Sequence, residues 1–246
     1  MALLGLTGAL LSGIGDMLML GRPCSGRDFD QAAGMVPRTI EADNRWRSLW
    51  NGTALPSRRI QAGTLTGHLG IGVLQWLAML GISRTIDAGG ERRIAQAAAT
   101  AYAVSGVLTH QGCATVIQAY QQAMSEAIGT NGATRPSPRS GTSLLAVSAA
   151  GTLGALAAFS ASLTVAAIRR PTSTSIWSAA VTPFPFVVAA LLGFGRLPAP
   201  VGGYARPASI SIGLMTYFAS TAASIGPPRP ERVKPRRSEP HGMRHS

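Results

Sequence analysis

The sequence predicts an all-α fold, a polytopic transmembrane helix bundle of about six helices. Two observations carry that reading. Charged residues are only 13% of the chain, roughly half the share usual in a soluble globular protein. Those charges gather between six long neutral runs, in which Gly, Ala, Ser and Thr are mixed among Leu, Val and Ile, a composition that lets membrane helices pack backbone to backbone.

A helix crossing a hydrocarbon core of about 30 Å needs ~20 residues. Ala2–Leu20 meets this and is neutral except for Asp16. It lacks the basic leader and small-residue cleavage site of a secretory signal, so it reads as the first membrane helix. The second run is 64–83 and the third 94–120. The fourth, 143–168, is uncharged and stops at Arg169-Arg170. The fifth, 176–195, contains Thr182-Pro183-Phe184-Pro185. Its two prolines remove backbone donors and predict a kink or local opening. The sixth, 208–225, starts after Arg206-Pro207, and proline is tolerated at a first helical position. One domain is expected over 1–226.

The connection 21–63 is the long one. Trp46, Leu49 and Trp50 beside Arg45, Arg47, Arg58 and Arg59 suit a segment on the membrane interface. The tail 227–246 is rich in Pro, Arg and Ser and has too little apolar content to fold. Arg and Lys divide equally between the two sides of the membrane. The six positives of the tail, close behind the last helix, tip the expectation towards both termini in the cytoplasm. The expected location is the plasma membrane.

The net charge of +12 does not indicate nucleic acid. The basic residues are spread over every loop rather than along one face with stacking aromatics. The lipid bilayer, and anionic headgroups met by the Arg-rich loops and tail, are the expected partners; a homo-oligomer is compatible with the pattern. Cys24 and Cys113 are too few for a disulfide framework and lack metal-ligand spacing. The pattern indicates no catalytic, cofactor or metal residues. Asn51-Gly52-Thr53 is formally a glycosylation sequon to which no role is attached.

Ionisable residues at membrane depth are rare and face the bundle interior or a wet cavity. Asp16, His68 and His110 form the candidate polar cluster. Counted from their helix ends, Asp16 and His68 lie about 6 Å inside and His110 about 15 Å, near the midplane. His68 is therefore the expected first partner of Asp16. On the third helix Gln111, Thr115, Gln118, Gln122 and Glu126 recur at helical spacing on one face. Gln111 and Gln118 are added to the candidate group, because such a stripe either lines a water-accessible cleft or marks where the helix emerges. Gly63-x-x-x-Gly67, Gly151-x-x-x-Ala155 and the first helix's Gly8, Gly13 and Gly15 read as packing positions.

The order of several short motifs resembles an uncharacterised family of small bacterial six-helix integral membrane proteins, a domain of unknown function. The residues are Gly15-Asp16, Arg59-x-x-x-Gly63 leading to Gly67-His68-Leu69-Gly70, Gly106-Val107-Leu108-Thr109-His110 and Arg206-Pro207-Ala208-Ser209-Ile210. They span about residues 5 to 225, and the resemblance implies architecture alone. Three function classes remain: a structural or regulatory membrane protein, a small-solute or proton-coupled transporter using the Asp/His cluster, and an intramembrane enzyme using Asp16 and the histidines in acid–base chemistry. An enzyme should show a nucleophile, metal motif or cofactor site, and the sequence pattern supplies none.

Overall fold

The computed structural model describes residues 1–30, 53–86, 89–129, 139–169 and 181–224, and every described element is helical. The helices are α1 (Ala2–Leu20), α2 (Gly26–Asp30), α3 (Ser57–Leu69), a π-helical turn (Gly70–Gln75), α4 (Trp76–Ser83), α5 (Gly89–Gly129), α6 (Arg139–Arg169), α7 (Pro183–Phe194), α8 (Val201–Ala205) and α9 (Ser209–Ser224). The aromatic part of the long connection (Arg45, Trp46, Arg47, Leu49, Trp50), residues 51–52 of the sequon and the tail 225–246 lie outside the described residues.

Three helices are long and apolar enough to cross a membrane: Ala2–Leu20, Ser57–Ser83 and Ser143–Arg169. Apolar side chains also cover the outside of the bundle. Leu3, Leu65, Val147 and Leu192 are 69–72% exposed, as suits helices surrounded by lipid, where outward apolar surface carries no hydrophobic cost.

Neighbouring antiparallel helices pack closely because glycine lets their backbones touch. On α1 a methyl at Gly15 would meet the Gly63 carbonyl at 2.6 Å, and one at Gly8 would meet the Gly70 carbonyl at 2.8 Å. The packing role read for Gly8, Gly15 and Gly63 holds. Gly13 instead faces Ser211 of α9, and Gly5 lies under the Phe218 ring. Small residues thus place α1 between α3 and α9. Helix α5 lies against α3 and α4, where Gly106 receives Ile71 and the Trp76 indole donates to the Thr100 hydroxyl at 3.2 Å. Helix α6 lines α5 through Thr152, whose hydroxyl donates to Ser105 Oγ at 3.2 Å.

The structure differs from the sequence reading in three places. The second span begins at Ser57, about two turns before Thr64. It is a helix with an inserted π turn. The third does not stop at Tyr120 but reaches Gly129, about 60 Å at 1.5 Å per residue and twice a hydrocarbon core. The third difference concerns the two prolines of the fifth run. They open α7 instead of kinking it, with Pro183 at its start after an extended Thr182. A helix start leaves free N–H groups. Pro183 and Pro185 have none to leave, and the Phe184 N–H donates to Ser160 Oγ of α6 at 3.0 Å. The proline pair thereby reduces unsatisfied donors within the bundle.

Six described passages, α1, α3–α4, α5, α6, α7 and α9, alternate in direction, and Met1 and Ser224 lie at the same end. At the other end, which holds Asp16, Arg59 closes α1. One guanidinium nitrogen donates to the Met17 carbonyl at 3.1 Å and the Gly21 carbonyl at 3.0 Å. A cation over the last carbonyls complements the helix dipole.

Candidate functional site

Asp16 sits on the face of α1 that also carries Ser12, one helical turn earlier. His110 Nε2 of α5 lies 3.1 Å from Asp16 Oδ1, and the two side chains are 7% and 15% exposed. The second carboxylate oxygen accepts from Ser211 Oγ of α9 at 2.8 Å. Ser211 Oγ is in turn 3.0 Å from Ser12 Oγ. Gln75, fully buried at the end of the π turn, donates from Nε2 to Ser12 Oγ at 2.8 Å. Tyr102 of α5 donates from its hydroxyl to Gln75 Oε1 at 2.6 Å.

The result is one hydrogen-bonded chain: Tyr102, Gln75, Ser12, Ser211, Asp16, His110. It leaves α5, passes through the second span, α1 and α9, and returns to α5 eight residues on, about 12 Å along the axis. Tyr102, Gln75 and Ser211 each donate in the direction of Asp16, and His110 approaches from the other side. Successive aligned bonds polarise one another, so the chain gives a part-buried carboxyl group partners it would otherwise find in water.

The geometry sorts the predicted residues. Asp16 and His110 meet, so the depth difference read from helix ends was wrong. The end of α5 is not the edge of a membrane, since the helix runs on to Gly129. The expected Asp16–His68 contact is corrected: the residue facing His110 is Gly67, and His68, one position on, is turned about 100° from it. His68 instead lies beside His110 electrically and faces the Val107 carbonyl. Gln111 and Gln118 do not join the cluster. They share one face with Thr115 and Gln122, as their spacing implies, but that face is exposed on the outside of α5.

Gly67 explains how His110 reaches its place. A methyl group there would overlap the imidazole at Nδ1 and Cε1, so only glycine lets the ring pack this closely against α3. Two imidazole nitrogens beside this contact, His110 Nδ1 and His68 Nε2, are buried without a hydrogen-bond partner among the described residues. Those residues contain no group of three His, Cys, Asp or Glu side chains able to hold a metal ion, and Cys24 and Cys113 are free thiols.

Sequence reading missed Ser12, Gln75, Tyr102 and Ser211. A signal existed for three of them. Gln75 is the only amide side chain in the second span between Leu69 and Ser83, Ser12 is four residues from Asp16, and Tyr102 is eight from His110. The latter two spacings each return to one helical face.

Fold and site together define, among the described residues, a helical bundle with three membrane-length apolar helices, packed around a carboxyl–imidazole pair whose imidazole is buried and whose carboxyl is part-buried. The family of unknown function DUF6796 matches residues 1–225, and the chain belongs to that family. Neither a curated protein nor a solved structure matches it.

Proposed function

We propose that this is a multi-pass protein of the plasma membrane with a structural or regulatory role, in which the Asp16 chain locks the bundle together. The observation that carries the reading is the direction of the chain. Donors from Ser211 and His110 end on one carboxylate, and four membrane segments contribute to its surroundings. With the chain behind it, this carboxyl group ties α1 to the π turn, α5 and α9. Polar contacts between membrane helices are each worth about 1 kcal/mol, so a chain of five links is a substantial part of the stability of a small bundle.

In this reading both termini are cytoplasmic and the Asp16 end faces outward. The exposed Arg27, Arg58 and Arg196 ring that end and meet anionic headgroups. A small-solute or proton-coupled transporter is the second reading, favoured by the two unpartnered imidazole nitrogens beside the pair.

A deletion strain complemented with wild-type protein or Asp16→Asn separates the two. A lock predicts reduced abundance and stability of the variant, with solute levels following abundance. Transport predicts normal abundance with altered solute or proton uptake. Carbonate washing tests the membrane placement, and release into the soluble fraction would refute it. A tail reporter active only on the outer side would reverse the orientation.

A further inference from the structure

Asp16 is the open member of the polar chain. Its side chain is 15% exposed, against 7% for His110, whereas Ser12, Gln75, Tyr102 and Ser211 are buried. Groups able to carry charge approach it from two elements. From α5 come His110, in contact, and Tyr102 and Cys113, within electrostatic reach. From α3 come His68, which acts on His110, and Arg59, which is committed to the Met17 and Gly21 carbonyls. α9 presents the Ser211 hydroxyl.

The hydroxyls behind Asp16 can serve either form of its carboxyl group. Ser12 has one hydrogen and two acceptors in reach, the Ala9 carbonyl at 3.1 Å and Ser211 Oγ at 3.0 Å. With Asp16 charged, Ser12 donates to Ser211, and Ser211 donates to Asp16 Oδ2 at 2.8 Å. With a proton on Oδ2 the same contacts run backwards. Asp16 donates to Ser211, Ser211 to Ser12, and Ser12 to the Ala9 carbonyl. Ser12 then accepts from Ser211 and Gln75 together, which fills its two lone pairs. No heavy atom moves, and no donor is stranded in either state. His110 is less suited to the proton. Its Nε2 faces Asp16, and its Nδ1 is buried without a hydrogen-bond partner among the described residues. An N–H formed at Nδ1 would be an unsatisfied buried donor.

We propose that Asp16 is a reversible proton-binding site, and that the Ser211 and Ser12 hydroxyls turn over to hold its carboxyl group in both states. This rests on the polar chain being the working centre of the protein, as in both readings given above. The proton enters directly at the exposed part of Asp16 and crosses no other residue. A hydronium ion there loses one O–H bond and is left as water, while an O–H bond forms at Oδ2. The new hydrogen turns to Ser211, and the two serine hydrogens turn in succession towards the Ala9 carbonyl. His110 stays neutral throughout, with its Nε2–H donated to Oδ1. Uptake therefore removes one negative charge from the bundle and leaves its packing as it was.

The test is infrared spectroscopy of the full-length protein in vesicles of phosphatidylcholine and phosphatidylglycerol, titrated from neutral to acidic pH. Wild type should gain a protonated-carboxyl C=O band that Asp16→Asn lacks, while the helical amide band stays unchanged. Nitrogen NMR of ¹⁵N-histidine-labelled protein over the same range should show His110 neutral, with its proton on Nε2. Ser12→Ala removes the acceptor that the Ser211 hydroxyl needs only in the protonated state. The stranded donor weighs against that state by about tenfold. At the pH where wild type is half protonated, the band should therefore shrink about fivefold. Ser12→Ala also carries the test if Asp16→Asn fails to fold, because the band it weakens is that of Asp16. Three results would overturn the proposal: a band that appears only once the amide band changes, an imidazolium at His110 beside a charged Asp16, or a Ser12→Ala titration equal to wild type. Reduced abundance of Asp16→Asn with no carboxyl band in wild type would retain the lock and reject the proton site. Normal abundance of Asp16→Asn with the band present in wild type would reject the lock and uphold the proton site.

Discussion

Adding one methyl group at Gly67 tests the site more sharply than removing any of its polar groups. The Gly67→Ala side chain would occupy the space of the His110 imidazole. That ring is buried and cannot swing into solvent, so it must leave Asp16 or push α3 from α5. Overpacking of this kind costs about 1–3 kcal/mol. Loss of the 3.1 Å contact with Asp16 adds about 1 kcal/mol. Together they give a destabilisation of about 2–4 kcal/mol. Gly154→Ala is the control, since nothing lies within 4 Å of a methyl there. It should be neutral or stabilising by up to about 1 kcal/mol from helix propensity. Denaturant unfolding in mixed micelles, followed by tryptophan fluorescence, measures both. The cause is checked in a His110→Ala background, where the clash is gone and Gly67→Ala should cost less than half as much. A Gly67→Ala protein as stable as wild type, or an equal cost with and without His110, would refute the reasoning.

Other variants probe the rest of the chain. Gln75→Leu strands the Tyr102 hydroxyl and Ser12, and should cost about 2 kcal/mol. Adding Tyr102→Phe should recover part of that, giving a coupling of about 1 kcal/mol in a double-mutant cycle. Arg59→Ala removes two charge-assisted bonds to the end of α1. It should cost about 1.5–3 kcal/mol and open residues 17–21 to hydrogen exchange before the rest of α1. Arg169→Ala loses its contact with Glu91 at the opposite end, where Arg169 is 68% exposed. A loss within about 0.5 kcal/mol is expected there; a larger effect on unfolding would contradict it.

Composition alone sufficed for the helical class and for α1, whose observed bounds coincide with its neutral run. It sufficed because length and charge spacing are one-dimensional properties. The site needed rotation about helix axes, which a sequence encodes weakly. Asp16 and His110 were recognisable as polar residues in apolar surroundings, but their pairing depends on Gly67, not His68, facing α5. The Gln111 stripe shows the same limit: helical spacing placed its residues on one face without saying which way that face pointed. The prolines of α7 were read as a kink or local opening within a longer run because nothing local distinguishes a helix interrupted at Pro183 from one that starts there. What decides it is Ser160, on another helix.

The π turn at Gly70–Gln75 has a consequence for how this chain tolerates changes in length. A turn of that kind holds one residue more than an α-helical path between the same two ends. Losing a residue inside it, such as Gly72, would let the segment relax to ordinary α pitch, with α3 and α4 keeping their orientations and Gln75 still beneath Ser12. The same loss from the middle of α1 would rotate everything beyond it by about 100°, turning Asp16 out of the bundle. Deletion scanning across the two spans should therefore find one permissive window, and natural length variation in the second span should collect within it.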